Sequence, residues 1–114
     1  NPSFMLGLLD GLAVVNPAGW LEFVGQINIH SPLAAHFASI LTTGKSEQKH
    51  LRTLLDFLEK GALTASSVAP LSHGRALHHV PSDVVCDFVL GLSNVSSEAG
   101  WLGLEILSMY YMIT

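Results

Sequence analysis

The chain has 114 residues, of which 49% are hydrophobic and only 12% charged, about half the charged share of a typical soluble domain. This length suits one domain, and the composition excludes intrinsic disorder, which requires low hydrophobicity and high net charge. A net charge of −4, with five Lys and Arg residues spread along the chain, leaves no basic stripe for nucleic acid or anionic lipid.

Helix-start signals divide the first part of the chain. Asn16-Pro17 and Ser31-Pro32 each place a capping residue before a proline, the arrangement favoured at the first turn of a helix. Asn1-Pro2 is a third such pair. Apolar residues at helical spacing follow each of them. The sequence therefore predicts three helices, the second and third of about three turns.

The clearest predicted helix has Ser46 as its cap and Gly61 at its end. Four leucines share one helical face: Leu51, Leu54, Leu55 and Leu58. The opposite face is charged, and its spacing predicts ion pairs between Arg52 and Asp56 and between Asp56 and Lys60.

The remaining part of the chain predicts further helices with a weaker stretch between them. Residues 64–80 predict a short helix, a break near Gly74 and another turn. Pro81-Ser82 opens the next helix, which is expected to end at the Ser93-Asn94 turn. The last helix is expected to begin at 96–97. Apolar pairs recur every four residues after Pro81, a spacing that excludes the alternation of a half-buried strand.

One four-residue segment occurs twice. Ala18-Gly19-Trp20-Leu21 recurs as Ala99-Gly100-Trp101-Leu102, 81 residues later (residue 99 against residue 18), each time near the start of a predicted helix. Helical-hairpin repeats of the HEAT type span about 40 to 47 residues, so two units fit this offset. Over most of its length the chain resembles HEAT-like α-solenoids, which implies antiparallel helical hairpins in an interaction scaffold. A closed helical bundle is the alternative architecture.

The two ends of the chain lead to an expectation about its origin. The sequence starts with Asn1 and ends in an apolar run over 106–113 that has no helix stop signal. We therefore expect residues 1–114 to form a single all-helical domain that is a fragment of a longer chain. Neighbouring repeats would then cover its apolar ends.

Residues that could carry chemistry do not form a known pattern. His73, His78, His79 and Cys86 lack the paired spacing of a zinc site. Cys86 follows Val85 in an apolar helix, where a free cysteine most often packs as a small hydrophobe. The histidines are interpreted as helix caps or turn residues. The sequence therefore predicts no catalytic residue, no metal site and no cofactor.

Two acidic residues suggest a structural contact. Asp83 and Asp87 lie four residues apart on a predicted helix, and like charges at this spacing are destabilising unless a cation is near. Arg75 is the available cation, and it is predicted to form an ion pair with one of them.

The two ends of the chain supply the predicted interaction surface, which consists of Met5, Leu6, Leu9, Trp101, Met109, Tyr110 and Tyr111. Trp20 and Trp101 lie at helical spacing, which favours a core position over an interface position. Contact with neighbouring repeats or with a second copy, as in a homodimer, would cover these side chains.

The predicted function is that of a non-catalytic interaction or scaffold segment that binds protein and neither nucleic acid nor membrane. The longest apolar stretch, residues 4–15, is shorter than the roughly 20 residues of a membrane span and contains Asp10. Because Cys86 is the single cysteine, no internal disulfide can form, which suits the cytoplasm. The alternative function is ligand binding or enzymatic activity in the His73–His79 region, which would require a pocket with converging polar groups.

Overall fold

The computed structural model describes residues 2–73 and 76–113, and their regular structure is entirely helical. The α-helices are α1 (Pro2–Val15), α2 (Pro17–Gly25), α3 (Phe37–Leu41), α4 (Gln48–Glu59), α5 (Ser82–Val95) and α6 (Ser97–Ile113). Two 3-10 helices lie at Pro32–His36 and Ala65–Ser72. The predicted all-α class is therefore confirmed for the described part of the chain.

The predicted proline-led helix starts are confirmed. Asn16 caps α2 by accepting a hydrogen bond from the Gly19 N–H at 3.0 Å. Ser31 accepts from the Leu33 N–H at 3.1 Å. The helix predicted after Pro32 is not continuous, however. Its first turn is a 3-10 helix, and His36, with φ −111° and ψ 13°, interrupts it before α3 begins.

The start of α4 differs from the prediction. Glu47, not Ser46, is the capping residue, and its backbone N–H donates to Nδ1 of His50 at 2.8 Å. Gly61 follows the helix as predicted, with φ +79°, a left-handed conformation that glycine adopts without strain. Asp56 pairs with Lys60 at 3.1 Å. The predicted pair with Arg52 is not among the ion pairs of the described residues.

Helix α5 runs further than predicted. It passes through the expected Ser93-Asn94 turn and ends at Val95. The Ser93 hydroxyl donates to the Leu90 carbonyl of its own helix at 2.7 Å, and the helix continues past it. The break comes at Ser96, whose Oγ accepts from the Ala99 N–H at 3.1 Å and thereby caps α6. The predicted break near Gly74 lies outside the described residues.

The helices pack around one core. Helix α1 contacts α2 and α3, the 65–72 helix contacts both α3 and α6, and α5 contacts both α4 and α6. The shortest dimension, 23 Å, corresponds to two layers of helices about 10 to 12 Å thick. The largest fully buried side chains include Trp20, Phe37, Ile40, Leu41, Leu51, Leu54, Leu92 and Ile106. Among the described residues, no helix has the length and apolar character needed to cross a bilayer.

Candidate interaction surfaces and the histidine groove

Large apolar side chains are exposed on one face of α1. Phe4, Leu8 and Val15 are 71%, 61% and 84% exposed. With Gly11 they recur at i, i+4, i+7 and i+11, so they share one side of the helix. These four residues are called the α1 stripe. A soluble chain rarely leaves such a continuous apolar line uncovered.

A second exposed apolar surface lies on α6. Trp101 is 70% exposed, Leu104 55% and Met112 76%, and Ser108 completes the same helical line. These four residues are called the α6 face. Beside it, Ser72, His73 and Met109 line an open groove of about 510 Å³ with Trp101 and Leu104.

The predicted surface residues differ in where they lie. Leu9 is 5% exposed and belongs to the core, while Met5 and Leu6 are half-buried. Trp101 is exposed, so its expected core position is wrong, while its part in an interaction surface stays a prediction. Met109 is half-buried beside the groove.

The sequence did not identify Phe4, Leu8 and Val15 as the exposed side of α1. Apolar side chains of α1 itself occur on almost every side of the helix. Periodicity alone therefore gave no signal as to which face is covered.

Tyr110 and Tyr111, which belong to the predicted interaction surface, connect α6 to Val80 and to α5. The Tyr110 hydroxyl donates to the Val80 carbonyl at 2.5 Å. A hydrogen bond with the Cys86 side chain raises the pKa of Tyr111. Cys86 is half-buried. These contacts give the two tyrosines a role inside the fold in addition to their exposed ring surface.

A polar cluster surrounds the buried Trp20, which is 1% exposed. Its indole Nε1 donates to Thr43 Oγ1 at 2.9 Å, and its ring meets His50 edge to face with centroids 5.9 Å apart. The backbone of Gly44 lies against the indole, where a Cβ would come within 2.5 Å of the ring. Burial lowers the pKa of His50. Because its Nδ1 accepts from Glu47, the neutral ring carries its proton on Nε2.

The three histidines of the alternative hypothesis line one groove. His73, His78 and His79 surround an open space of about 700 Å³ together with Thr42 and Thr43. His79 Nε2 lies 2.9 Å from the Ser46 carbonyl oxygen, and its ring lies 5.8 Å from that of His78. The described residues contain no group of three or more His, Cys, Asp or Glu side chains that could hold a metal ion.

Two threonine hydroxyls of the histidine groove donate hydrogen bonds within the fold. Thr42 donates to the Ser39 carbonyl and Thr43 to the Ile40 carbonyl, both at 2.6 Å. Neither threonine can therefore donate to a ligand in this groove without breaking an intramolecular bond.

The predicted contact of Arg75 lies outside the described residues. Its two proposed partners, Asp83 and Asp87, are both exposed on α5. Asp87 lines a small cavity of about 150 Å³ that Arg52 of α4 also lines.

Comparison with known proteins gives no relative for this chain. No protein-family model, curated protein or solved structure matches it.

Proposed function

We propose that this chain is a non-catalytic helical scaffold segment that binds protein through the α1 stripe and the α6 face. The observation that carries the proposal is the exposure of large apolar side chains along one side of each helix. The rest of the chain buries a complete core, so these faces are not needed to close it. Contiguous exposed apolar surface is typical of protein interaction sites.

The order of helix contacts supports a HEAT-like array. One row consists of α1, α3, the 65–72 helix and α6, with contact between each neighbouring pair. A second row contains α2, α4 and α5, in which α4 contacts α5. Contacts between α1 and α2, α3 and α4, and α5 and α6 join the two rows. In stacked repeats each unit contacts its neighbours in this way.

This arrangement explains where the exposed apolar faces occur. Helices α1 and α6 are the two ends of the first row, so each lacks a neighbour on one side. The natural occupants of those faces are neighbouring repeats of a longer chain or a second copy of this one. We place this role in the cytoplasm, where the free thiol of Cys86 would stay reduced.

Light scattering coupled to size exclusion tests the proposal at rising protein concentration. We expect concentration-dependent self-association, because exposed apolar faces pair when no other partner is present. The double variant Trp101→Glu, Leu104→Glu should self-associate more weakly, because only the α1 stripe remains exposed. Leu90→Glu is the matched control, since Leu90 is 63% exposed but lies on α5, away from both faces.

Either outcome is informative. Self-association that the α6 variant weakens and the α5 control retains supports the α6 face as a protein-binding surface. If the unsubstituted chain stays monomeric to about 1 mM, a concentration at which contacts worth about 4 kcal/mol would be populated, a second copy is not the partner of these faces.

A further inference from the structure

Helices α1 and α5 match in length and share three residues in sequence. Both α1 and α5 have 14 residues, and α5 begins 80 residues after α1 (residue 82 against residue 2). Three residues recur at that offset, with Gly11, Leu12 and Val15 matching Gly91, Leu92 and Val95. After each of these helices a single capping residue, Asn16 or Ser96, precedes the next helix, which carries Ala-Gly-Trp-Leu. Helix α5 therefore shows what surrounds a helix of this type.

One side of α5 is covered by α4. Phe88 is 2% exposed, and together with Val84 it lines a small cavity whose other wall includes Leu51 and Leu55 of α4. Gly91 gives α4 room to approach, since a Cβ there would lie 2.6 Å from Cδ1 of Leu55. Leucine side chains of α4 thus pack on a line of α5 residues that includes a glycine.

The matching side of α1 is uncovered. Phe4 and Leu8, at the positions of Val84 and Phe88, are 71% and 61% exposed. Gly11, at the position of Gly91, would have nothing within 4 Å of a Cβ. One inward position agrees, because Leu9 and its counterpart Val89 are both buried, whereas Leu12 is half-buried and its counterpart Leu92 is fully buried. The largest difference, between Leu8 and Phe88, lies on the α1 stripe, the side that α4 covers in α5.

We propose that the α1 stripe is the docking site of an amphipathic helix of the α4 type. This inference rests on the proposed function and names the partner of that site. The partner helix carries leucines four residues apart, as Leu51 and Leu55 are in α4, and places one of them over Gly11. On α5 the flanking acid Asp87 lies beside Arg52 of α4. Because Gly7 stands at that position in α1, the partner needs no basic residue there.

A peptide of residues 46–61 is the probe for this site, labelled with fluorescein at its N-terminus. A hydrocarbon staple between positions 52 and 56, on its charged face, holds it helical, because a free helix of this length is marginal in water. Fluorescence anisotropy measures its binding to the Trp101→Glu, Leu104→Glu protein, whose α6 face is blocked. The same peptide with Leu51→Glu and Leu55→Glu is the probe control.

Two protein variants form a matched pair. Leu8→Glu places a charge in the α1 stripe and should weaken binding at least about 10-fold, since a docked leucine contributes at least this much through apolar burial. Val14→Glu changes another exposed apolar residue of the same helix, about 120° from Leu8 around its axis. It should leave binding within about twofold. Both sites are exposed, so folding should be retained.

The outcomes separate this inference from the proposed function. Saturable binding that Leu8→Glu weakens and Val14→Glu does not supports the docking site. Equal affinity of these two variants, or no binding up to about 1 mM, would overturn it. If the α6 face still mediates self-association in that case, only the docking site is wrong and the scaffold proposal stands.

Discussion

The two Ala-Gly-Trp-Leu segments place the same side chain in opposite environments. Trp20 in α2 is 1% exposed and Trp101 in α6 is 70% exposed. Trp20 has a hydrogen-bond partner in Thr43 and a ring partner in His50. Trp101 belongs to an exposed apolar line on the surface. Four identical residues therefore do not determine the surroundings of the tryptophan.

The register of each segment relative to its helix cap accounts for part of the difference. Asn16 caps α2, so Trp20 is the fourth residue of that helix. Ser96 caps α6, and Trp101 is the fifth residue because Glu98 adds one position. One residue turns a side chain by about 100° around a helix. The buried line of α6, which includes Ala99 and Ile106, lies further round the helix from Trp101 than this one-residue shift explains. The distance from the cap therefore contributes to the difference, and the packing of each helix against its neighbours supplies the rest.

The largest expected effect comes from truncating the two tryptophans separately. Trp20→Ala should lower the free energy of unfolding by about 3 to 5 kcal/mol, because it leaves a cavity and removes the partner of Thr43. Trp101→Ala should change it by less than about 0.5 kcal/mol. Urea unfolding followed by circular dichroism measures both. Similar losses for the two variants would contradict the difference in burial.

The second expected effect concerns the backbone that covers Trp20. Gly44→Ala should destabilise the fold by about 1 to 3 kcal/mol, because the new methyl group meets a rigid, buried ring. Gly7→Ala is the control, since a Cβ there has nothing within 4 Å and should stabilise α1 by up to about 1 kcal/mol. Thermal unfolding of both variants gives the sign of each change. A stabilising Gly44→Ala would show that the indole does not lie against this backbone.

A third effect, of similar size, should separate two neighbouring threonines. Thr43→Val removes the acceptor of the buried Trp20 N–H and should destabilise the fold by about 1 to 3 kcal/mol. Thr42→Val removes an exposed hydroxyl that bonds only the Ser39 carbonyl among the described residues, and should change stability by less than about 0.5 kcal/mol. Urea unfolding compares the two. Equal losses would mean that the indole hydrogen bond adds nothing to stability.

Much of the helical layout could be predicted from the sequence because local signals determine it. Asn16-Pro17 and Gly61 mark helix ends through capping and backbone conformation, which depend on neighbouring residues alone. The 3-10 turn before α3 and the full length of α5 could not be predicted. Serine can bond the backbone within a helix, as Ser93 does with Leu90, or end the helix at a turn. The same sequence pattern is compatible with either structure.

The candidate surfaces could be predicted only in part. The apolar ends of the chain predicted interaction surfaces on α1 and α6. Within α1, however, Leu9 lies in the core, whereas Leu8 is exposed. Which side of an apolar helix is covered depends on its neighbours, and no local pattern records them. Ser46 is similar, because it has the residue type of a cap but lies buried beside the true cap, Glu47. The role of His50 also follows only from the fold.

The smallest expected effect is a pH dependence that originates at His50. Burial lowers its pKa from 6.5, while the charge of Glu47 opposes and that of Lys49 reinforces this shift. His79, which bonds the Ser46 carbonyl, also belongs to this region. Because the unfolded chain takes up the proton more readily, stability is complete above pH 6.5 and declines as the pH falls below it. The protonated ring would also turn a donor toward the Glu47 N–H.

His50→Asn tests this assignment, because Asn can offer an acceptor near the position of Nδ1 but does not titrate. It should be less stable than the unsubstituted chain near neutral pH, yet lose less on going from about pH 7.5 to about pH 5. His30→Asn replaces an exposed histidine and should leave the pH dependence unchanged. Urea unfolding at both pH values measures these differences. If His50→Asn lost as much stability at about pH 5 as the unsubstituted chain, the group responsible for the pH dependence would lie elsewhere in the protein.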